Sequence, residues 1–171
     1  MGKFIKIITT VLVVTSVGFS LYYFYFKSPP SYEVINNIAT GTKEYRNTER
    51  GFSLHYPVGL TLKEYDEGET TFTLVFSDET GDKSFQIFWT PYFGEQITDT
   101  RIKKDVPNGK ITEPIEIVIS GGIHALAFFS SSSVGEFREV WFIHKGYLYE
   151  VTAYKDLDEW LAKIMQTWRF I

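Results

Sequence analysis

The 171-residue chain contains no cysteine. That absence excludes disulfide bonds, thiolate catalysis, cysteine-ligated zinc and a lipidated N-terminal cysteine. Histidine is nearly as scarce. His55, His124 and His144 are the whole complement, and none sits at an H-x-x-x-H or H-E-x-x-H spacing. The serine run Ser130–Ser133 lacks the flanking glycines of a G-x-S-x-G nucleophile elbow, and no phosphate-binding motif is present. Positive charge is also thin beyond the front of the chain. The net charge is −4, but Lys3, Lys6 and Lys27 all fall in a stretch without acids. Residues 28–171 therefore hold 14 basic against 21 acidic side chains, a net −7. A domain of that sign repels phosphate backbones, so nucleic acid is excluded as a partner.

What the sequence does have is one long uncharged run, Ile7 to Phe26. As a helix rising about 1.5 Å per residue it would span ~30 Å, the thickness of a bilayer's hydrocarbon core. The flanking lysines place its N-terminus in the cytoplasm and the following domain outside. Tyr22, Tyr23 and Tyr25 suit the outer headgroup zone. A cleaved secretory signal would carry an apolar region of roughly 7–15 residues before a small-residue cleavage site. Here the run is longer, and Ser16-Val17-Gly18 would leave an aromatic new terminus. A buried core helix is disfavoured because the run has no polar stripe. The reading is an uncleaved anchor: residues 1–27 as a transmembrane signal-anchor held in membrane lipid, 28–42 as a linker, and 43–171 as an extracytoplasmic domain. In the linker Pro29-Pro30 stiffens the exit, although Tyr32, Val34, Ile35 and Ile38 allow a short helix.

The domain is patterned mostly at period two, the signature of half-buried strands. Phe52, Leu54 and Tyr56 share a face; Leu60 and Leu62 begin a second strand; Phe72, Leu74 and Phe76, then Phe85, Ile87 and Trp89, complete an antiparallel meander. A helix is expected after Thr98 or Asp99, stopped by Pro107-Asn108-Gly109. Strands resume at Ile115–Ile119, Ile123–Ser130, Phe137–His144 and Tyr147–Tyr154. The Lys145-Gly146 turn would set Phe142 opposite Tyr149 and Val140 opposite Val151. Segments 123–129 and 139–143 are apolar on nearly both faces, so both faces of the sheet are expected to be covered. Leu157, Trp160, Leu161, Ile164 and Trp168 form one helical stripe that supplies a cover.

The segment YRNTERGFSLHYPVGL at 45–60 resembles the opening strand and turn of bacterial PsbP-like domains. ITEPIEIVISGGIHALAF, FIHKGYLYEVTAY and LAKIMQTWRFI follow in the family's order, so the resemblance covers about 45–171. It implies an α+β fold, an α/β/α sandwich with a central, mainly antiparallel sheet, here preceded by one transmembrane helix. It also implies a small non-enzymatic accessory or scaffold role biased towards protein–protein contact. No metal-ligand cluster carries over.

Each candidate for chemistry has a plainer reading. His55 shares a polar strand face with Ser53 and is read as solvated; His144 abuts a hairpin turn. His124, on a face with Leu126 and Phe128, is read as a buried, hydrogen-bonded core residue. The acidic turns Asp66/Glu67/Glu69 and Asp78/Glu79/Asp82 miss the calcium-loop spacing and fall at opposite ends of a meander. Trp89, Tyr92 and Phe93, around Pro91 and Gly94, are the candidate partner-contact patch, with sheet-edge packing as the alternative. The expectation is a membrane-tethered interaction or assembly module with a protein partner and neither cofactor nor metal. A binding module for a small apolar ligand between sheet and helix is the alternative. A hydrolase pairing His124 with the 130–133 serines comes third.

Overall fold

In the computed structural model, residues 33–37, 41–68, 70–107 and 109–171 are described. The expected membrane span, Ile7–Phe26, lies outside them. Among the described residues no helix is long and apolar enough to cross a membrane.

Period-two patterning folds as expected into antiparallel strands. A four-stranded sheet takes β1 (Glu33–Asn37), β2 (Thr42–Asn47), β3 (Phe52–Pro57) and the short β11 (Arg169–Phe170), in that order. A seven-stranded sheet takes β4 (Thr61–Gly68), β5 (Thr71–Ser77), β6 (Ser84–Pro91), β10 (Tyr147–Tyr154), β9 (Gly135–His144), β8 (Ile123–Ser132) and β7 (Lys110–Ile119), again in spatial order. Two meanders, β4–β5–β6 and β7–β8–β9–β10, are thus joined through the β6–β10 pair. The excursion between them holds helix α1 (Asp99–Asp105). A 3-10 turn (Lys155–Leu157) leads from β10 into helix α2 (Asp158–Met165). The chain is α+β, with a central antiparallel sheet and helices packed against it.

Alternation sorts the large sheet's side chains onto two faces. On the inner face Leu74, Phe76, Phe85, Ile87, Val140, Phe142, Tyr149 and Val151 are buried against Tyr45, Phe52, Leu54 and Tyr56 of the small sheet and Leu161, Ile164 and Met165 of α2. On the outer face Phe128, Trp141 and Leu148 are buried under Ile102 of α1. The two-sided strands are therefore covered on both sides. The β9–β10 register places Phe142 opposite Tyr149 and Val140 opposite Val151, as the hairpin's length requires. Its turn has Lys145 at φ 48° and Gly146 at φ 80°, the paired left-handed conformation that matches the twist of two-residue hairpins.

Three elements differ from expectation. Residues 33–37 are a strand, not linker or helix: Glu33 pairs with Arg46 and Asn37 with Thr42. Helix α2 stops at Met165, so Trp168 is not on its stripe. The Thr167 hydroxyl donates to the Ile164 carbonyl (2.7 Å) and accepts from the His55 N–H (2.8 Å), ending the helix beside β3. The released chain lets Trp168 stack on Phe52 (centroids 4.5 Å, 5° between planes) and Phe170 pair with Phe52. His124, expected in the core, is exposed. It lies opposite Val118 of the edge strand β7, beyond the area that the seven-residue α1 covers.

Candidate functional site

Helix α1 begins where Thr98 caps it, its side chain accepting from the Arg101 N–H at 3.2 Å. The helix ends after seven residues, with Val106 and Pro107 leaving it. Because it is short, it covers only part of the outer face. Beside it lies a groove of about 880 Å³, floored by β5, β6, β8, β9 and β10 and rimmed by Asp105, Val106, Pro107 and Gly109.

The floor is unusual for the middle of a sheet. Glu139 of β9 and Glu150 of β10 both point into the groove from buried positions, at 5% and 7% exposure. Thr152 stands opposite Glu139 and Glu150 opposite Trp141, so the two glutamates are diagonal neighbours on adjacent strands. In antiparallel sheets that diagonal runs roughly 7–8 Å between backbones. Ser130, Gln86 and Thr152 add neutral polar groups, while Val75, Phe137 and Trp141 supply apolar lining.

The two carboxyls are held differently. Glu139 accepts from the Ser130 hydroxyl on Oε1 (2.8 Å), and from the Trp141 indole (3.1 Å) and Thr152 hydroxyl (2.6 Å) on Oε2. Burial raises its pKa above the usual carboxylate range, against the three hydrogen bonds, which favour the charged form. Glu150 accepts from Arg101 Nη2 at 3.1 Å, and the same guanidinium bonds Asp105 through Nε. Burial, with the Asp105 charge adding to it and Arg101 opposing, pushes Glu150 up to about 8. Glu150 thus holds its proton to higher pH than a free carboxyl does. The arrangement can accept hydrogen bonds, attract a cation and, at Glu150, present a proton.

The residues singled out from sequence are scattered. Trp89 is core, 8% exposed and stacked on Tyr147 at 4.1 Å. Tyr92 packs with the α1 cluster, donates its hydroxyl to the Gln96 carbonyl (2.8 Å) and lies beneath Arg101. Phe93 alone is free, 98% exposed. The three aromatics form no common patch, because alternation sends Trp89 to the inner face while the loop turns Tyr92 to the outer one.

Ser132 and Ser133 line the groove, and Ser130 is bonded to Glu139. His124 lies six residues from Ser130 on the same strand, a separation of roughly 20 Å at 3.3 Å per residue. The His124–serine pairing is not assembled. His144 flanks its hairpin turn as expected, stacked on Phe170 at 3.7 Å, and its buried Nε2 has no hydrogen-bond partner. Burial, with Lys145 adding to it, lowers its pKa. Asp78 serves its own loop, accepting from the Gly81 N–H (2.7 Å) and Lys83 N–H (3.3 Å). Among the described residues no His, Asp and Glu cluster could hold a metal ion.

Glu139 and Glu150 escaped the sequence reading, although a signal was present. Glu150 is the lone charge of its strand, YLYEVTAY, and Glu139 alternates with Phe137, Trp141 and Ile143 on one face of its own. A carboxylate there has to be paired, protonated or set in a site. Compared with known proteins, the chain matches no family model, and no curated protein matches it significantly.

Proposed function

We infer that the chain is a membrane-tethered, extracytoplasmic binding module of PsbP-like architecture, with the groove beside α1 as its working surface. The observation that carries this reading is the groove itself. Its volume of about 880 Å³ falls within the range of small-molecule sites, roughly 300–1,000 Å³, and buried carboxyls converge on its floor. Glu139, Glu150 and their hydroxyl partners narrow the ligand from the purely apolar one expected to an amphipathic one with a polar group to seat. In this reading the module is non-enzymatic. Glu139 is engaged by three donors and Glu150 by Arg101, which suits holding a ligand in place. The tether rests on the uncharged run Ile7–Phe26 and its flanking lysines.

A ligand screen against the full-length protein in lipid nanodiscs, read by amide chemical shifts, tests the reading. Shifts gathered on β8, β9, β10 and the end of α1 support it; a screen with no saturable shift there removes it. Because the chain has no cysteine, orientation can be read with single introduced ones. An impermeant maleimide should label Thr80→Cys on intact cells and leave Gly2→Cys unlabelled.

A second reading, a protein-contact module, is favoured by the bare Phe93 ring. A photocrosslinker at position 93 should capture one partner protein in native membranes; lipid or background alone would argue against it.

A further inference from the structure

The groove's two buried glutamates differ in one respect that bears on what the groove takes. Glu150 has a guanidinium beside it; Glu139 has only neutral donors, the hydroxyls of Ser130 and Thr152 and the indole of Trp141. The basic residues Arg138 and Lys155 face the other way. Arg138 sits over Phe129 at 4.5 Å and pairs with Asp158 at 2.8 Å. Lys155 also lies over Phe129 and pairs with Glu136. The titratable groups that face the groove are Asp105 of α1, Glu139 of β9, and Glu150 and Tyr154 of β10, with Arg101 the cation among them. Arg101 is shared by Asp105 and Glu150, so it gives Glu139 no counter-charge.

One wall is aromatic. Phe137 and Tyr154 stack at 5.2 Å with 24° between planes, and Tyr154 is open to solvent. An aromatic face beside a carboxylate attracts organic cations through the ring quadrupole as well as through charge. The hydroxyls around Glu139 add acceptors for N–H donors. A bare metal ion is a poor fit, since no metal-binding group of His, Asp and Glu is found among the described residues.

We propose that the groove binds a small organic ammonium ion, a di- or polyamine, with a primary ammonium paired to Glu139 and its alkyl body along Phe137 and Tyr154. The ligand supplies the counter-charge that Glu139 lacks, and the net −7 of residues 28–171 draws it in. The proposal rests on the groove being the working surface and goes further by naming the ligand's chemistry.

The test is calorimetric titration of the full-length protein in zwitterionic nanodiscs with 1,4-diaminobutane and with spermidine, at pH 6 and pH 8. Saturable binding at one site is expected, tighter at pH 8 than at pH 6, because burial raises both floor carboxyls and higher pH favours their charged forms. Glu139→Gln should weaken it by roughly tenfold or more, the loss of one charge-assisted contact, with the melting temperature retained. Tetramethylammonium, which has no N–H, should bind more weakly. If Glu139→Gln does not fold, Tyr154→Ser on the open wall provides a second variant, expected to weaken binding severalfold. Absence of saturable amine binding at pH 8 would overturn the proposal, as would equal affinity for wild type and the folded variant. Amine failure alongside another ligand's shifts in the groove would sink the ammonium assignment and leave the binding-module reading standing. A groove that takes no ligand of any class would remove both.

Discussion

Thr152 stands directly opposite Glu139 across the β9–β10 pair and donates its hydroxyl to Oε2 at 2.6 Å. Two adjacent strands thereby fasten a carboxyl that burial alone would drive towards its neutral form. Thr152→Val keeps the shape and removes the donor, so the Glu139 pKa should climb further. The predicted cost is about 1–3 kcal/mol where Glu139 is charged, and less where it is protonated. Denaturant unfolding at pH 5 and pH 8 measures it, and Thr152→Ser should recover most of the loss. Equal losses at both pH values would show that the hydroxyl is not acting on the charge.

Glu150 makes stability fall as the medium becomes alkaline. Its folded pKa, about 8, lies above the ordinary carboxylate value, so the folded chain holds the proton more tightly than the unfolded one. That contribution is complete below the unfolded pKa, near 4.5, and is lost as pH rises through 8. Melting temperature followed from pH 4.5 to 9 should decline, and Glu150→Gln should flatten the decline. An unchanged slope in the variant would place the titration elsewhere.

His144 acts at the acid end. Its folded pKa is lowered, so between the folded and unfolded values the unfolded chain binds more protons. The stability contribution is therefore present above the unfolded histidine value, about 6.5, and is lost as pH falls below it. Protonation would also put a charge against Phe170, loosening β11 from β3. His144→Phe should remove this acid sensitivity, read as amide exchange at residues 169–171 at pH 5. Exchange there that is equally fast in both proteins at pH 5 would contradict the link.

The turn after β2 depends on one buried cation. Arg50 donates to Tyr45 Oη at 3.2 Å, pairs with Glu64 and lies 3.9 Å over the Phe72 ring. Arg50→Ala leaves Glu64 half-enclosed without its partner and should cost about 3–5 kcal/mol. Arg50→Met together with Glu64→Leu, which removes both charges, should cost clearly less. Chemical denaturation of the three proteins separates the lost charge pairing from lost packing.

How far the sequence could be read follows from the range of the interactions involved. The β9–β10 hairpin was legible because a two-residue turn and period-two alternation are local, and they set Phe142 against Tyr149 correctly. The helix start at Thr98 was legible for the same reason. Strand β1 was not, since Glu33–Asn37 becomes a strand by pairing with β2, and alternation within it is weak. Trp168 has helical spacing from Ile164, but Thr167 diverts the chain to satisfy β3. The fate of His124 depended on where α1 stops across the sheet, which its own strand does not encode. The same half-covering by α1 creates the groove. Glu139 and Glu150 could be placed on one strand face by counting, but the space above them required the three-dimensional packing of a helix that follows β6.

The central claim is that Glu139 is a buried carboxyl in a groove built to receive a counter-charge. The carboxyl ¹³C signal of Glu139, followed by NMR through a pH titration of the full-length protein with and without spermidine, tests it most directly. A pKa above the ordinary glutamate value is expected in the free protein, with a fall when spermidine binds. An ordinary value in the free protein, or one that spermidine leaves unmoved, would contradict it.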